Sequence, residues 1–486
     1  MMIFQKTLVK INIRGGILPS GELIQIIRIA KECEVKNTQL GERQNIYFEV
    51  EKKHKKRLLQ LLKDSSLDYE INATEYPNIV SSYAAEDIFT THPWISEGMY
   101  QDILNSFGHR PKLKINIADN TQALSPLFTG TLNFIPSTHL NFYYLYVNHE
   151  SVGRKWCWGK LIYGNDIATL SQHLEAALLG LNKIDMGAVL KSIEQQHKLI
   201  TMDVQEPLLV PRVRFPYYEG MNRFGDKIWL GIYRRNNDFS IALLESIYKL
   251  CSETRIAQIN ILPWKSIMIK GISENERIEW EKLLSEHGIN SRHSSLELNW
   301  QTADLDKQAI KIKNDLVKDF DQQDIRTYGL TFAIRTSREF DNSSSILIVK
   351  RRSIFNFWGI FKFLTIYDIL YAQDFNNHAT EHNYFATNIS WNGLSYYLQM
   401  LSQIYYKQLS EKKKVITEPL EEKMATARLI HQCQHCFTVY DEQLGEPQSK
   451  IAAGTAFNNL PDTYECPLCE NSKADFKEIE FLNYVS

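Results

Sequence analysis

Two cysteine pairs near the end of the chain constrain its folding more than any other feature: Cys433 and Cys436 in HQCQHC, and Cys466 and Cys469 in ECPLCE. A CxxC turn brings two sulfurs to one side of the backbone. Two such turns facing each other make a closed tetrahedral four-sulfur site that suits zinc or iron. Here 29 residues separate the pairs, a pattern that in a cytosolic setting marks a metal centre rather than disulfides. The other three cysteines, Cys33, Cys157 and Cys251, lie singly and are expected to be buried, inert thiols.

So small a site occupies little of a chain of 486 residues, which at roughly 100–200 residues per domain has room for two to four domains. With 44% hydrophobic and 23% charged residues the chain can bury a real core. Its net charge of −2 gives no bulk attraction for nucleic acid or an acidic membrane. The N-terminal stretch MMIFQKTLVKINIRGG has no apolar run of signal-peptide type. No run of about 18 apolar residues occurs that would span a bilayer. The expectations are a cytoplasmic location, no nucleic-acid partner and no membrane partner. IFNFWGIFKFLTIYDILYA (354–372) comes closest to a spanning run, but Asn356, Lys362 and Asp368 interrupt it, and it reads as buried strand and helix.

The large part carries a repeated order of elements. LVKINIRGG is a strand and turn, and Leu23, Ile26, Ile27 and Ala30 mark one face of a helix. Two short strands around Gly41 and the helix KKHKKRLLQLLK follow, giving a split ferredoxin-like unit. About 220 residues later the order recurs in KIWLGIYRR, DFSIALLESIYKLCSE, INILPWKSIMIKGI and ENERIEWEKLLSEHGI, with Cys251 close to the register of Cys33. A longer α/β region follows each unit. The reading is α+β: half-domains at 1–72 and 204–294, α/β domains at 73–203 and 295–408, a linker at 409–427 and a metal domain at 428–486. From Arg428 onward there are nine acidic and four basic residues, a net of −5, so the remainder carries +3. That asymmetry suits docking by complementary charge, with the linker letting the metal domain swing.

Many fixed offsets accompany the four cysteines: Tyr440-Asp441, Gly445-Glu446-Pro447, Gly454-Thr455, Phe457, Leu460-Pro461-Asp462, Pro467-Leu468, Lys473 and Phe476. Over about 50 residues this pattern closely resembles rubredoxin, the small iron–sulfur electron carrier. The resemblance implies one iron held by Cys433, Cys436, Cys466 and Cys469, with zinc as a possible substitute. Tyr440, Phe457, Tyr464 and Phe476 suit an aromatic core for so small a domain. The family has glycine after the second cysteine of each pair, where Phe437 and Glu470 stand here, and tryptophan where Tyr464 stands. His431 and His435 flank the first pair and are expected to be solvated loop residues.

The duplicated part resembles siroheme nitrite and sulfite reductases over residues 5–405, on GERQNIYF (41–48), PNIVSSYAAEDIF (77–89) and RPKLKINIAD (110–119). The resemblance places Arg43, Lys112 and Lys114 at positions that hold siroheme carboxylates. Two departures stand against a working siroheme centre. Pro77 replaces an expected arginine, and no cysteine lies between residues 300 and 405 to ligate a four-iron four-sulfur cluster. Neither siroheme nor that cluster is expected. The resulting expectation is an electron carrier rather than an oxidoreductase with its own substrate site. It would serve a flavoprotein reductase or a terminal reductase, in a pathway such as nitrite or sulfite reduction. Two other readings stay open: a zinc-stapled interaction protein, and a siroheme reductase subunit that relies on a partner's cluster.

Overall fold

The computed structural model describes residues 6–86, 88–89, 94–180, 184–211, 214–290, 294, 296–336, 343–357, 360–415, 426–436, 438–442, 445–446, 449 and 451–483. The chain divides into two compact units, 1–404 and 405–486.

In the first unit the repeated order is visible as two ferredoxin-like sheets. One runs Asn37–Leu40, Asn45–Glu51, Lys6–Asn12, Tyr69–Ile71, and the other Gly220–Phe224, Lys227–Tyr233, Ser266–Ser273, Gln258–Leu262. Each accepts an edge strand from the other half. Ile17–Pro19 pairs with Gln258–Leu262, and Phe239–Ser240 pairs with Asn37–Leu40. The helices Ser20–Glu32 and Ile241–Glu253 turn their apolar faces into one joint core, where Ile26, Ile27, Cys33, Ile247 and Cys251 are buried together. The halves read as separate units thus share a single interior. Cys157 departs from the expected burial: it is exposed on the strand Gly153–Tyr163, because its neighbour in the alternating pattern, Trp158, takes the buried side.

The two α/β regions repeat one sheet pattern, three parallel strands followed by antiparallel ones. In the first the strands are Val80–Ser81, Ile115–Ile117, Leu132–Pro136, Phe142–His149 and Gly153–Tyr163, with Thr201–Asp203 at the edge. In the second they are Trp300–Thr302, Phe332–Arg335, Ile346–Phe357, Ile360–Tyr371 and Asn383–Ile389. The segment 354–372, expected to be strand and helix, therefore contains two strands and no helix among its described residues. Its Ile, Phe, Thr and Tyr content favours the pleated surface.

The expected linker also begins differently, because the helix Leu394–Val415 runs on into it. Glu411 and Lys412 to Lys414 are good helix formers and continue the last turns. Residues 416–425 lie outside the described residues.

In the second unit Thr426–Cys433 pairs with Phe476–Asn483 over eight residue pairs and with Val439–Tyr440 over two, giving a three-stranded sheet.

Candidate metal centre

The strand Thr426–Cys433 ends on the first ligand candidate, so the chain leaves the sheet and turns at once through Cys436. The second pair sits in a turn of the same construction. The Cys433 N–H donates to the Thr438 carbonyl at 2.9 Å, and the Cys466 N–H donates to the Asn471 carbonyl at 2.8 Å. Facing each other, the turns bring Cys433 Sγ to 3.5 Å from Cys469 Sγ and Cys436 Sγ to 3.4 Å from Cys466 Sγ. All four sulfurs lie within 4.8 Å of one another. A tetrahedron with metal–sulfur bonds of about 2.3 Å has edges of about 3.8 Å, so the donor set fits one ion closed off by four thiolates. Among the described residues no other group of three or more His, Cys, Asp or Glu side chains converges in this way.

Beneath the sulfurs, Tyr440, Phe457, Tyr464 and Phe476 form the expected aromatic core, packed with the buried Cys433 and Cys466. Their ring centroids lie 5.3–6.1 Å apart, in the range of favourable tilted and edge contacts.

A rubredoxin family model matches residues 430–476. A probable rubredoxin-2 of Methanocaldococcus jannaschii is 48% identical over 50 residues, which are 10% of this chain and 89% of that protein. The rubredoxin of Acinetobacter baylyi is 48% identical over 50 residues, 10% of this chain and 93% of that protein. Through this domain the chain belongs to the rubredoxin family. A high molecular weight rubredoxin of Moorella thermoacetica is 34% identical over 85 residues, 16% of this chain and 37% of that protein. The NirA protein of Mycobacterium tuberculosis superposes with a TM-score of 0.63 at 14% identity, over 81% of this chain and 80% of that one. The large part has a NirA-like fold, the fold implied by the resemblance to siroheme reductases.

Within the rubredoxin domain, several of the fixed offsets have visible causes. Gly445 has φ +63°, and a Cβ there would stand 2.6 Å from the backbone of Ala452, so only glycine fits. The Lys473 ammonium donates to the carbonyls of Leu460 and Asn458 at 2.6 and 3.2 Å and lies over the Phe457 ring, tying the loop to the core. The Tyr440 hydroxyl donates to the Thr455 carbonyl at 2.8 Å. His431 corrects the sequence reading. It is part of the strand, half-buried and stacked on Phe457 at 4.0 Å, because pairing with Phe476–Asn483 carries it over the core. His435 is exposed, as expected, 3.9 Å from Asp475.

Polar donors face the sulfurs. The Thr438 hydroxyl lies 3.1 Å from Cys436 Sγ, and the Asn471 side-chain amide donates to Cys469 Sγ at 3.3 Å. The Thr438 hydroxyl, and after it the Thr438 backbone, hold the Cys436 thiol down to about 6 against the pull of burial. The Asn471 backbone pulls Cys469 the same way, but burial and the other three cysteines push it on balance up to about 12. Four thiols within 4.8 Å of one another oppose each other's negative charge, a conflict that a shared cation relieves.

Of the two positions where the family has glycine, Phe437 lies outside the described residues. Glu470 has φ +61°, the left-handed region that costs a side-chain-bearing residue about 1 kcal/mol or more. Glu470→Gly should therefore stabilise the metal domain by about 1 kcal/mol, less what glycine loses through its freer unfolded chain. Urea midpoints of the domain's transition check this.

The three basic residues suggested by the reductase resemblance have different surroundings. Arg43 turns its guanidinium inward: Nη2 donates to the carbonyls of Asn78 and Ile115 at 2.8 and 3.0 Å and to the Asn116 side chain at 3.2 Å. Burial lowers it to about 10. Lys112 is exposed, its ammonium 5.8 Å from the Tyr76 ring centre. Lys114 alone lines a large cleft of about 1050 Å³ within the first unit, with His149, Lys155, Arg335 and His382. The sequence reading missed those four, which come from separate strands and loops with no local motif.

Proposed function

We propose that the chain is a one-electron carrier whose redox centre is iron held by Cys433, Cys436, Cys466 and Cys469, and that the NirA-like body docks it to redox partners. The observation that carries this reading is the convergence of four sulfurs within 4.8 Å inside a rubredoxin-type aromatic core. Iron bound to four thiolates supplies exchange of a single electron with no open position for substrate. The residues around it serve that exchange. Thr438 and Asn471 place donors on the sulfurs and so favour the more negative, reduced state. Cys433 and Cys466 are buried, whereas Cys436 and Cys469 are partly open, next to the exposed Leu468 and Val439. That edge is the shortest route for an electron and offers an apolar spot for a partner. The net charge of −5 beyond Arg428 selects a partner with a basic face.

The partner is a flavoprotein reductase or a terminal reductase in the cytoplasm, and the NirA-like fold makes inorganic nitrogen or sulfur reduction the pathway we favour. A second reading rests on the cleft with Lys114, Lys155 and Arg335, which offers cations to an anionic tetrapyrrole such as siroheme. No cysteine between residues 300 and 405 is present to supply a cluster beside it. A redox titration of the iron-loaded chain against the zinc-loaded chain tests the proposal. Only the iron form should take up one electron, and uptake by the zinc form would place the electron elsewhere.

A further inference from the structure

Six consecutive basic residues, KKHKKR at 52–57, form the 3-10 turn Lys52–His54 and open the helix Lys55–Lys63. The helix is amphipathic. Leu58, Leu61 and Leu62 are buried in the core of the first unit. Lys55, Lys56, Leu59 and Lys63, at spacings of i, i+1, i+4 and i+8, therefore share the outward face. Lys52 falls in line with Lys55 across the 3-10 turn. All four lysines are exposed, and they flank Leu59, which is 44% exposed.

The other cations of the run have local partners. Lys53 and His54 meet Glu34 at 2.6 and 3.1 Å, and Arg57 meets Glu32. Lys52, Lys55, Lys56 and Lys63 have no ion-pair partner among the described residues. Like charges three and four residues apart on a helix repel one another. An acidic partner relieves that repulsion.

The chain carries a surface of the opposite sign. Its net charge beyond Arg428 is −5. The loop from Pro461 to Glu470 holds Asp462, Glu465 and Glu470, all exposed, together with Leu468, which is 70% exposed. These three carboxylates have no ion-pair partner among the described residues. Each surface is thus an exposed leucine among charges of a single sign, and the two signs are opposite. An apolar centre with a charged rim is the make-up of a protein interface.

A lipid surface fits less well. A helix lying in a bilayer interface puts its own apolar face into the lipid. Here that face is taken up by the core, and Leu59 is the one apolar residue left on the outward side. Among the described residues no helix is long and apolar enough to cross a membrane.

We propose that the lysine face of one copy of the chain takes up the acidic loop 461–470 of a second copy. Every chain carries both surfaces, so two copies about a two-fold axis make the contact twice, and each contact raises the effective concentration for the other. The proposal builds on the docking role given above to the acidic metal domain, but not on the identity of the metal. The zinc-loaded chain therefore serves the test, and failure here leaves the iron reading in place.

Sedimentation velocity of the zinc-loaded full chain, at concentrations up to about 100 μM, should show a monomer–dimer equilibrium. Raising the salt from about 50 to about 500 mM should weaken it by about tenfold or more. Lys55→Glu with Lys56→Glu reverses one surface, and Asp462→Lys with Glu465→Lys reverses the other. Each pair should weaken association by about tenfold or more. Glutamate is favoured in the first turn of a helix, so the first pair leaves the fold intact. Leu140→Glu, at an exposed apolar residue outside both surfaces, should change nothing. An equimolar mixture of the two reversed chains should recover the dimer, because each reversed surface then meets its complement. A misfolded variant would not do so. A native chain that stays monomeric over this range overturns the proposal. So does a dimer that neither reversal weakens, and so does a mixture that stays monomeric. Binding of a monomeric native chain to phosphatidylcholine–phosphatidylglycerol vesicles, lost in Lys55→Glu with Lys56→Glu, would give the lysine face to lipid and overturns it as well.

Discussion

Cys433→Ser should leave the chain colourless after iron loading, with the iron content falling from one per chain to none. The metal domain should lose its cooperative unfolding transition, while the transition of the unit 1–404 stays in place. The reason is local. Cys433 ends the strand Thr426–Cys433, is fully buried, and packs with Tyr440, Phe457 and Phe476. A serine hydroxyl is a poor ligand for a soft site, and a domain this small has too little apolar interior to fold without its metal. Metal binding at closed thiolate sites contributes on the order of 10 kcal/mol, more than such a domain can lose. His435→Ala is the matching control. His435 is exposed and, among the described residues, meets only Asp475, at 3.9 Å, so colour, iron content and melting should be unchanged. Metal analysis, visible absorption and differential scanning calorimetry on the two variants separate a ligand from a bystander.

The second large effect lies far from the metal. Lys10→Met should destabilise the first unit by about 3–5 kcal/mol. The Lys10 ammonium is 2.5 Å from Glu70 Oε2 with both side chains about 95% buried, and it also donates to the Tyr76 carbonyl at 2.8 Å. Burial lowers the Lys10 pKa, and Glu70 works against that shift. Without the lysine, the Glu70 carboxylate stays buried, met by the N–H groups of Glu75 and Tyr76. Adding Glu70→Gln should recover most of the loss, because the amide oxygen keeps those two backbone donors paired and no charge remains. Denaturant midpoints of the single and double variants give the coupling. Equal destabilisation by both would show that packing, not the unpaired charge, sets the cost.

The metal centre was legible because its information is local. The spacing of Cys433, Cys436, Cys466 and Cys469 sets the turns, and the strain at Glu470 could be anticipated from the residue type at a glycine position. What the sequence hid depends on distant pairing. His431 lies over Phe457 only because its strand pairs with Phe476–Asn483. The exchanged strands Ile17–Pro19 and Phe239–Ser240 are too short to carry a period. The segment 354–372 read as strand and helix because a continuous apolar run has neither period, and only its partner strand fixes it as sheet. Arg43 was read as an anion ligand by motif, and only the fold shows that its Nε and Nη2 meet the carbonyls of Asn78 and Ile115.

A spectroelectrochemical titration of the iron-loaded full chain, followed in the visible, addresses the four-thiolate carrier most directly. The account predicts one reversible wave of a single electron per chain, no tetrapyrrole absorption, and no wave in the zinc-loaded chain. A wave that survives in Cys433→Ser, or an iron form that takes up no electron, would contradict it.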